Sequence, residues 1–254
     1  MRSSLFYNPF VIIDRLAIEI NRYRRKRRLK GTPAAGLRLG YIDSLELLEL
    51  IKNDGTVVNN IFDVGANIGT WTLLAKALFK TSHVQAFEPL QVHIDKFKQI
   101  TQGVDHVTMH TICLGSENSE AIINVSSFSD SSSILDATPL EYETYGIKKA
   151  GEARVQVKRI DNLIEDGTIP VPDVIKLDVQ GYELEVLKGA GKYLAEVKYI
   201  IAEVSFKEYY KDQPLLLDIA AYLRTYNFDI YAFGQNTPTG LPLGQIDVLF
   251  KRIV

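Results

Sequence analysis

The 254-residue chain holds one cysteine, one tryptophan and four histidines. The lone thiol, Cys113, excludes an internal disulfide and any zinc site built on paired cysteines. It lies in an apolar run, where a thiol packs as a small hydrophobe rather than acting as a nucleophile. No stretch approaches the roughly eighteen uninterrupted apolar residues of a membrane span. The N-terminus does not read as a signal peptide either, because its basic run follows the apolar part and Asp14 and Glu19 interrupt it. A free thiol fits a reducing compartment, so the expectation is a cytoplasmic protein.

Strong charge of either sign is also missing. A net charge of −2 excludes a general nucleic-acid binder. The charge is unevenly spread, however. Residues 22–30 carry seven positive charges and no acid, and taking those seven from the net −2 leaves −9 for everything else.

What is present is a globular composition, 46% hydrophobic and 24% charged, long enough for one large α/β domain. Residues 1–36 read as a separate N-terminal segment, and 37–254 as the domain. Phe6, Phe10, Ile13, Ala17, Ile20 and Tyr23 fall at the three- and four-residue spacing of one helical face. The glycines and proline of 31–36 then punctuate the chain. This segment has two readings: a helix that caps the domain or meets a partner subunit, or an amphipathic basic segment resting peripherally on an anionic membrane. The first is preferred.

Beyond a helix at 42–53, apolar strands alternate with helices. The strands are 57–64, 83–87, 107–114, 174–178, 199–204, 228–233 and 246–251; the helices are 69–80, 90–101, 183–194 and 214–226. Such alternation predicts a parallel sheet covered on both faces. Residues 234–245 are too short and too rich in glycine and proline for a crossover helix, so the last strand should run antiparallel. The stretch 116–160 breaks the rhythm. Strands at 121–125 and 153–160 flank a serine-rich loop, an insertion suited to substrate recognition.

Asp63-Val64-Gly65-Ala66-Asn67-Ile68-Gly69 joins an apolar strand to a helix through a glycine turn. Gly65 and Gly69 let the backbone approach a ligand, and the helix start offers N–H groups to an anion. Glu88, ending the next strand 23 positions after Gly65, is placed to accept from ribose hydroxyls. Together these predict an adenosine-containing ligand and leave its reactive end open. A third strand delivers Asp178 to the crevice, where a carboxylate is costly unless used or satisfied. Glu183, in the first turn of the next helix, reads as a cap. None of the histidines is a candidate base: His83 starts a strand away from the crevice, His93 and His106 read as surface positions, and His110 is packed within a strand.

The glycine turn, Phe87-Glu88-Pro89, Leu114-Gly115-Ser116, the long block from Lys176 to Ala190, and Glu203-Val204 together resemble the motif series of the FkbM family of S-adenosylmethionine (SAM) dependent methyltransferases. The resemblance covers 57–206, and the Asp178–Ala190 block is its distinctive part. It implies a Rossmann-like class I methyltransferase fold, a doubly wound seven-stranded sheet in the order 3-2-1-4-5-7-6 with the last strand antiparallel. It also implies a SAM site lined by Asp63, Gly65, Ala66, Asn67, Gly69 and Glu88, with Leu114 and Gly115 by the adenine. The acceptor expected is a hydroxyl of a sugar, glycan or other small natural product. Asp178 and Glu203, on strands that should be neighbours about 4.8 Å apart, are the candidate catalytic carboxylates. Such a pair shares a proton or, as the less favoured alternative, holds a divalent cation such as Mg. Two further readings stand beside this one. A nicotinamide-dependent oxidoreductase would want a second glycine where Asn67 stands. A non-catalytic adapter would dock through the basic N-terminus.

Overall fold

The computed structural model describes residues 9–128, 131–234 and 243–253. Helices α1 (Pro9–Arg28) and α2 (Leu45–Asn53) lead into the alternating region. There follow β1 (Asn60–Val64), α3 (Thr70–Leu78), β2 (His83–Phe87), α4 (Gln91–Ile100) and β3 (Val107–His110). The insertion comprises β4 (Cys113–Leu114), β5 (Ser119–Ser126), α5 (Pro139–Tyr145), β6 (Lys149–Lys158) and α6 (Ile160–Glu165). The chain closes with β7 (Val174–Leu177), α7 (Glu183–Ala190), β8 (Tyr199–Ser205), α8 (Leu216–Arg224), β9 (Phe228–Phe233) and β10 (Gln245–Arg252).

Seven strands make the main sheet in the order β3-β2-β1-β7-β8-β10-β9. Counted within that sheet alone, this is 3-2-1-4-5-7-6; the labels differ only because three insertion strands come between. β10 pairs antiparallel with both β8 and β9, and the other neighbours are parallel. β7 is buried at all four positions, as a central strand covered on both faces must be. One core cluster gathers Phe62, Ile175, Ile200, Val186, Leu223 and Phe250; another packs α2 and α3 against the opposite face through Leu48, Ile51, Ile61, Leu74 and Tyr199.

The single strand expected at 107–114 is two strands in two sheets. β3 ends at His110, and Cys113–Leu114 pairs parallel with β6 instead, in a sheet of order β4-β6-β5. Both halves are rich in strand-forming residues with no glycine or proline between them, so the sequence pattern could not separate them. Strand β1 starts at Asn60 rather than residue 57, because the Asp173 carboxylate accepts from the N–H groups of Asn59 and Asn60 and caps the strand there. The helix expected to reach 194 stops at Ala190, where Gly191 turns the chain into a 3-10 segment ending at Ala195.

The basic run is not simply solvated. Arg25 is buried, bonds the Ile42 carbonyl, and lies 3.0 Å from Glu46 and 3.6 Å from Asp43; Arg28 pairs with Glu46 and Glu49. The acidic side of α2 and of the residues preceding it thus neutralises part of the run. The expected apolar stripe turns away from the domain: Ala17, Ile20 and Tyr23 are exposed, beside Leu16. Phe6 lies outside the described residues, as do the side chains of Phe10 and Ile13. Among the described residues no helix is long and apolar enough to cross a membrane.

Candidate active site

A cleft of about 540 Å³ opens at the carboxyl ends of β1, β7 and β8. A second, narrower hollow of about 80 Å³ adjoins it, and Gly65, Asn67, Asp178 and Gln180 line both. The turn after β1 is drawn tight against its neighbours. Gly65 and Ala66 N–H both donate to the Phe87 carbonyl, and Asn67 N–H donates to Glu88 Oε2 at 3.0 Å. Gly65 has φ +76°, and a Cβ there would collide with the Asp178 carbonyl oxygen. Only glycine fits both demands.

The narrow hollow is walled by Phe87, Leu90, Ile112, Leu114, Val179 and Tyr182, with the Glu88 carboxylate at one side. Glu88 is more committed than a free ribose acid. Its Oε1 accepts from Leu90 N–H at 2.9 Å and lies 3.2 Å from His93 Nδ1. His93 is therefore not a surface residue; it is 5% exposed and packs beneath this carboxylate. Cys113 also lines the hollow, and burial, reinforced by Glu88, pushes its thiol up to about 12. This is the inert packing expected of it. His110 bonds Gln85 and stacks on Phe87, again as read from its strand position.

Three of the expected cofactor contacts sit behind the wall. Asp63 is fully buried; its Oδ2 accepts from Thr72 Oγ1 at 2.6 Å and its Oδ1 faces Lys176 Nζ at 3.4 Å. Gly69 carries φ +89°, and a Cβ would lie 2.6 Å from the Phe97 ring. Gly115 clears Val157 and Tyr182 and lets Gly189 of α7 lie against its own carbonyl. Asp63 and Gly69 shape the turn after β1 and Gly115 the approach of α7; none of the three faces the cleft. Gly65, Ala66, Asn67, Glu88 and Leu114 do line one hollow or the other.

The wide cleft gathers both candidate catalytic carboxylates. In sheet register Leu177 pairs with Ala202, so Asp178 follows directly opposite Glu203. An amide spans them: Gln180 Nε2 donates to Asp178 Oδ1 at 2.8 Å and to Glu203 Oε2 at 3.0 Å. Gln180 holds φ +54°, and its Oε1 lies 3.0 Å from the Tyr210 hydroxyl, which also reaches Glu141 Oε1 at 2.7 Å. Burial, then the charges of Asp178 and Asp247, hold the Glu203 carboxyl well above the usual carboxylate range. Among the described residues no group of three or more His, Cys, Asp or Glu side chains converges as a metal site.

Lys176, read from sequence only as part of its motif, is the hub of this wall. Its Nζ lies 3.4 Å from Asp63, 3.3 Å from Asp178 and 3.1 Å from the Gly65 carbonyl. Burial alone would lower its pKa, but the carboxylates of Asp178, Asp63 and Asp247 outweigh that and raise it. The signal was a lysine inside an otherwise apolar central strand. Glu183 ties the turn after Asp178, accepting from Val179 N–H at 3.1 Å and Gly181 N–H at 3.2 Å. Burial raises its carboxyl to about 7.

Residues 63–230 match the Methyltransferase FkbM domain. The chain belongs to the FkbM methyltransferase family. It is 30% identical over 160 residues to the hexuronic acid methyltransferase AglP of Haloferax volcanii, a match covering 63% of this chain and 61% of that protein. It is 27% identical over 174 residues to methyltransferase 1 of Beauveria bassiana, covering 63% and 70%. The fold can also be laid over magnesium protoporphyrin IX methyltransferase from Synechocystis PCC 6803 with bound SAM, at TM-score 0.46 and 15% identity over 91% of each chain. The FkbM match takes in the glycine turn, Glu88, the Asp178 turn and Glu203.

Proposed function

We propose that this FkbM-family chain is a SAM-dependent methyltransferase that methylates a hydroxyl oxygen of a carbohydrate or related small molecule. The observation that carries the reading is the pair of hollows meeting at Gly65, Asn67, Asp178 and Gln180. One is largely apolar, with Glu88 at its side and Asp178 at the shared rim, and suits a nucleoside; the other is polar and suits a hydroxylated acceptor. The family match favours methyl transfer over the nicotinamide alternative, and the named activity of AglP supports a sugar acceptor.

The residues present fit SAM. Glu88 keeps lone pairs for ribose hydroxyls beside its backbone donors, and Leu114, Ile112 and Val179 offer an apolar slot for a base. The first-turn N–H groups of α3 have no intrahelical acceptor and suit a carboxylate. Trp71 Nε1, in the cleft wall and 8% exposed as a residue, has no hydrogen-bond partner among the described residues. When bound, SAM supplies a methyl group on a sulfonium, an electrophile that needs no further activation.

The chain's own tasks are to align the acceptor and take its proton. Asp178 is the carboxylate for that step, its orientation set by Lys176 on one oxygen and Gln180 on the other. Glu203, kept protonated by burial and by Asp178, acts as a hydrogen-bonding partner rather than a base.

The test is Asp178→Asn, followed by release of S-adenosylhomocysteine and by calorimetric titration with SAM. Turnover should fall by about 10²–10⁴-fold with SAM affinity within about threefold of wild type. Unchanged turnover removes Asp178 from the reaction.

A further inference from the structure

The chemistry of the wide cleft selects among sugars. Five carboxyl groups line it, those of Asp43, Glu141, Asp178, Glu203 and Asp247. Among its described lining residues the one cation is Lys176, whose side chain is 8% exposed and already committed to Asp63, Asp178 and the Gly65 carbonyl.

Away from the α3 N-terminus, which would take the carboxylate of SAM, a ligand carboxylate set against this wall would face acids whose one lining cation is already committed. An unpaired buried charge is one of the costliest arrangements in a protein. Hydroxyl groups face no such cost. They donate to ionised carboxylates and accept from protonated ones, and the cleft offers both. Burial holds Glu141 and Asp247 above the ordinary carboxylate range, with Glu141 bonded to the Tyr210 hydroxyl and Asp247 to Ser44. The Tyr145 ring, 45% exposed in the same wall and backed by the buried Tyr209, gives an aromatic face for the C–H side of a pyranose.

Resting on the methyltransferase reading above, we propose that the acceptor is a sugar without a carboxylate, and that this chain discriminates against hexuronates. Its specificity then departs from the activity named for AglP.

The experiment uses the full chain and matched pairs of nitrophenyl glycosides, a neutral hexoside and its uronide. SAM binding is first measured by calorimetry without acceptor. Each glycoside is then titrated into the S-adenosylhomocysteine-saturated protein, and methyl transfer is followed by mass spectrometry. The expected result is kcat/KM and affinity at least about tenfold higher for the neutral member, since like-charge juxtaposition alone is worth that much. Asp43→Lys, at the exposed rim, should narrow the ratio by admitting the uronide. Absence of SAM binding would bring down the methyltransferase reading itself. SAM binding with the uronide bound or methylated as well as its neutral partner, or with neither glycoside bound, overturns this inference alone.

Discussion

Lys176 holds its ammonium 3.3 Å from the carboxylate of Asp178, two residues further along the same run, and turns that carboxylate toward the cleft. The same ammonium faces Asp63, which is sealed from solvent. Among the described residues neither acid has another cation within ion-pair distance. Lys176→Met should therefore strand a buried charge and cost about 3–5 kcal/mol, read as a shift in the denaturant midpoint. An unchanged midpoint would mean that Asp63 is carried neutral and that Lys176 matters only to Asp178.

Glu88 serves two masters. Its carboxylate accepts from Asn67 and Leu90 N–H and also borders the narrow hollow. Glu88→Ala should weaken SAM binding by about 10–100-fold, the worth of a charge-assisted pair. It should also lower stability by about 1–3 kcal/mol, because two backbone donors lose their acceptor. Calorimetry and thermal melts separate the two; weakened binding without any loss of stability would contradict the bonding pattern described.

Glu183 makes stability depend on pH. Burial raises its folded-state pKa to about 7 from an ordinary 4.5. Between those values the folded protein holds a proton that the unfolded chain has released, so unfolding becomes easier as pH rises. The contribution is fully present below about 4.5 and lost through about 7. Glu183→Gln should abolish this slope, which for wild type amounts to a few kcal/mol. Parallel slopes for the two proteins in urea melts from pH 4.5 to 7.5 would refute the assignment.

Arg25 fastens α1 to the domain. It is 5% exposed, bonds the Ile42 carbonyl and pairs with Glu46. Arg25→Ala should cost about 1–3 kcal/mol, whereas Arg24→Ala, on an exposed side chain, should stay within about 0.5 kcal/mol. Equal effects would argue that α1 is held by other contacts.

Much of this molecule was legible because its strands are apolar and its turns carry special residues. Phe228–Phe233 is found where the pattern placed it, and the antiparallel β10 followed from the short polar connection before it. The pairing of Asp178 with Glu203 followed from strand order alone. What was not legible depended on contacts that pattern cannot encode. Val107–Leu114 is one run rich in strand-forming residues, yet it divides between two sheets because β6 captures Cys113–Leu114. His93 reads as a polar helix residue until the fold sets it under Glu88. Arg25 and Arg28 read as solvated until α2 brings its acids across. Asp63, Gly69 and Gly115 carry the motif, but they hold the turn from behind.

The two hollows meet along a shared rim, Gly65 and Asn67 after one strand and Asp178 and Gln180 after the next. One molecule joining an adenosine to a pyranose by a short thioether tether could thus reach from chamber to chamber without crossing protein. The second half would bind at the effective concentration set by the tether, in the millimolar range for a short link. Such a bisubstrate compound would inhibit well beyond either fragment, and its sugar could be varied to map the acceptor wall directly.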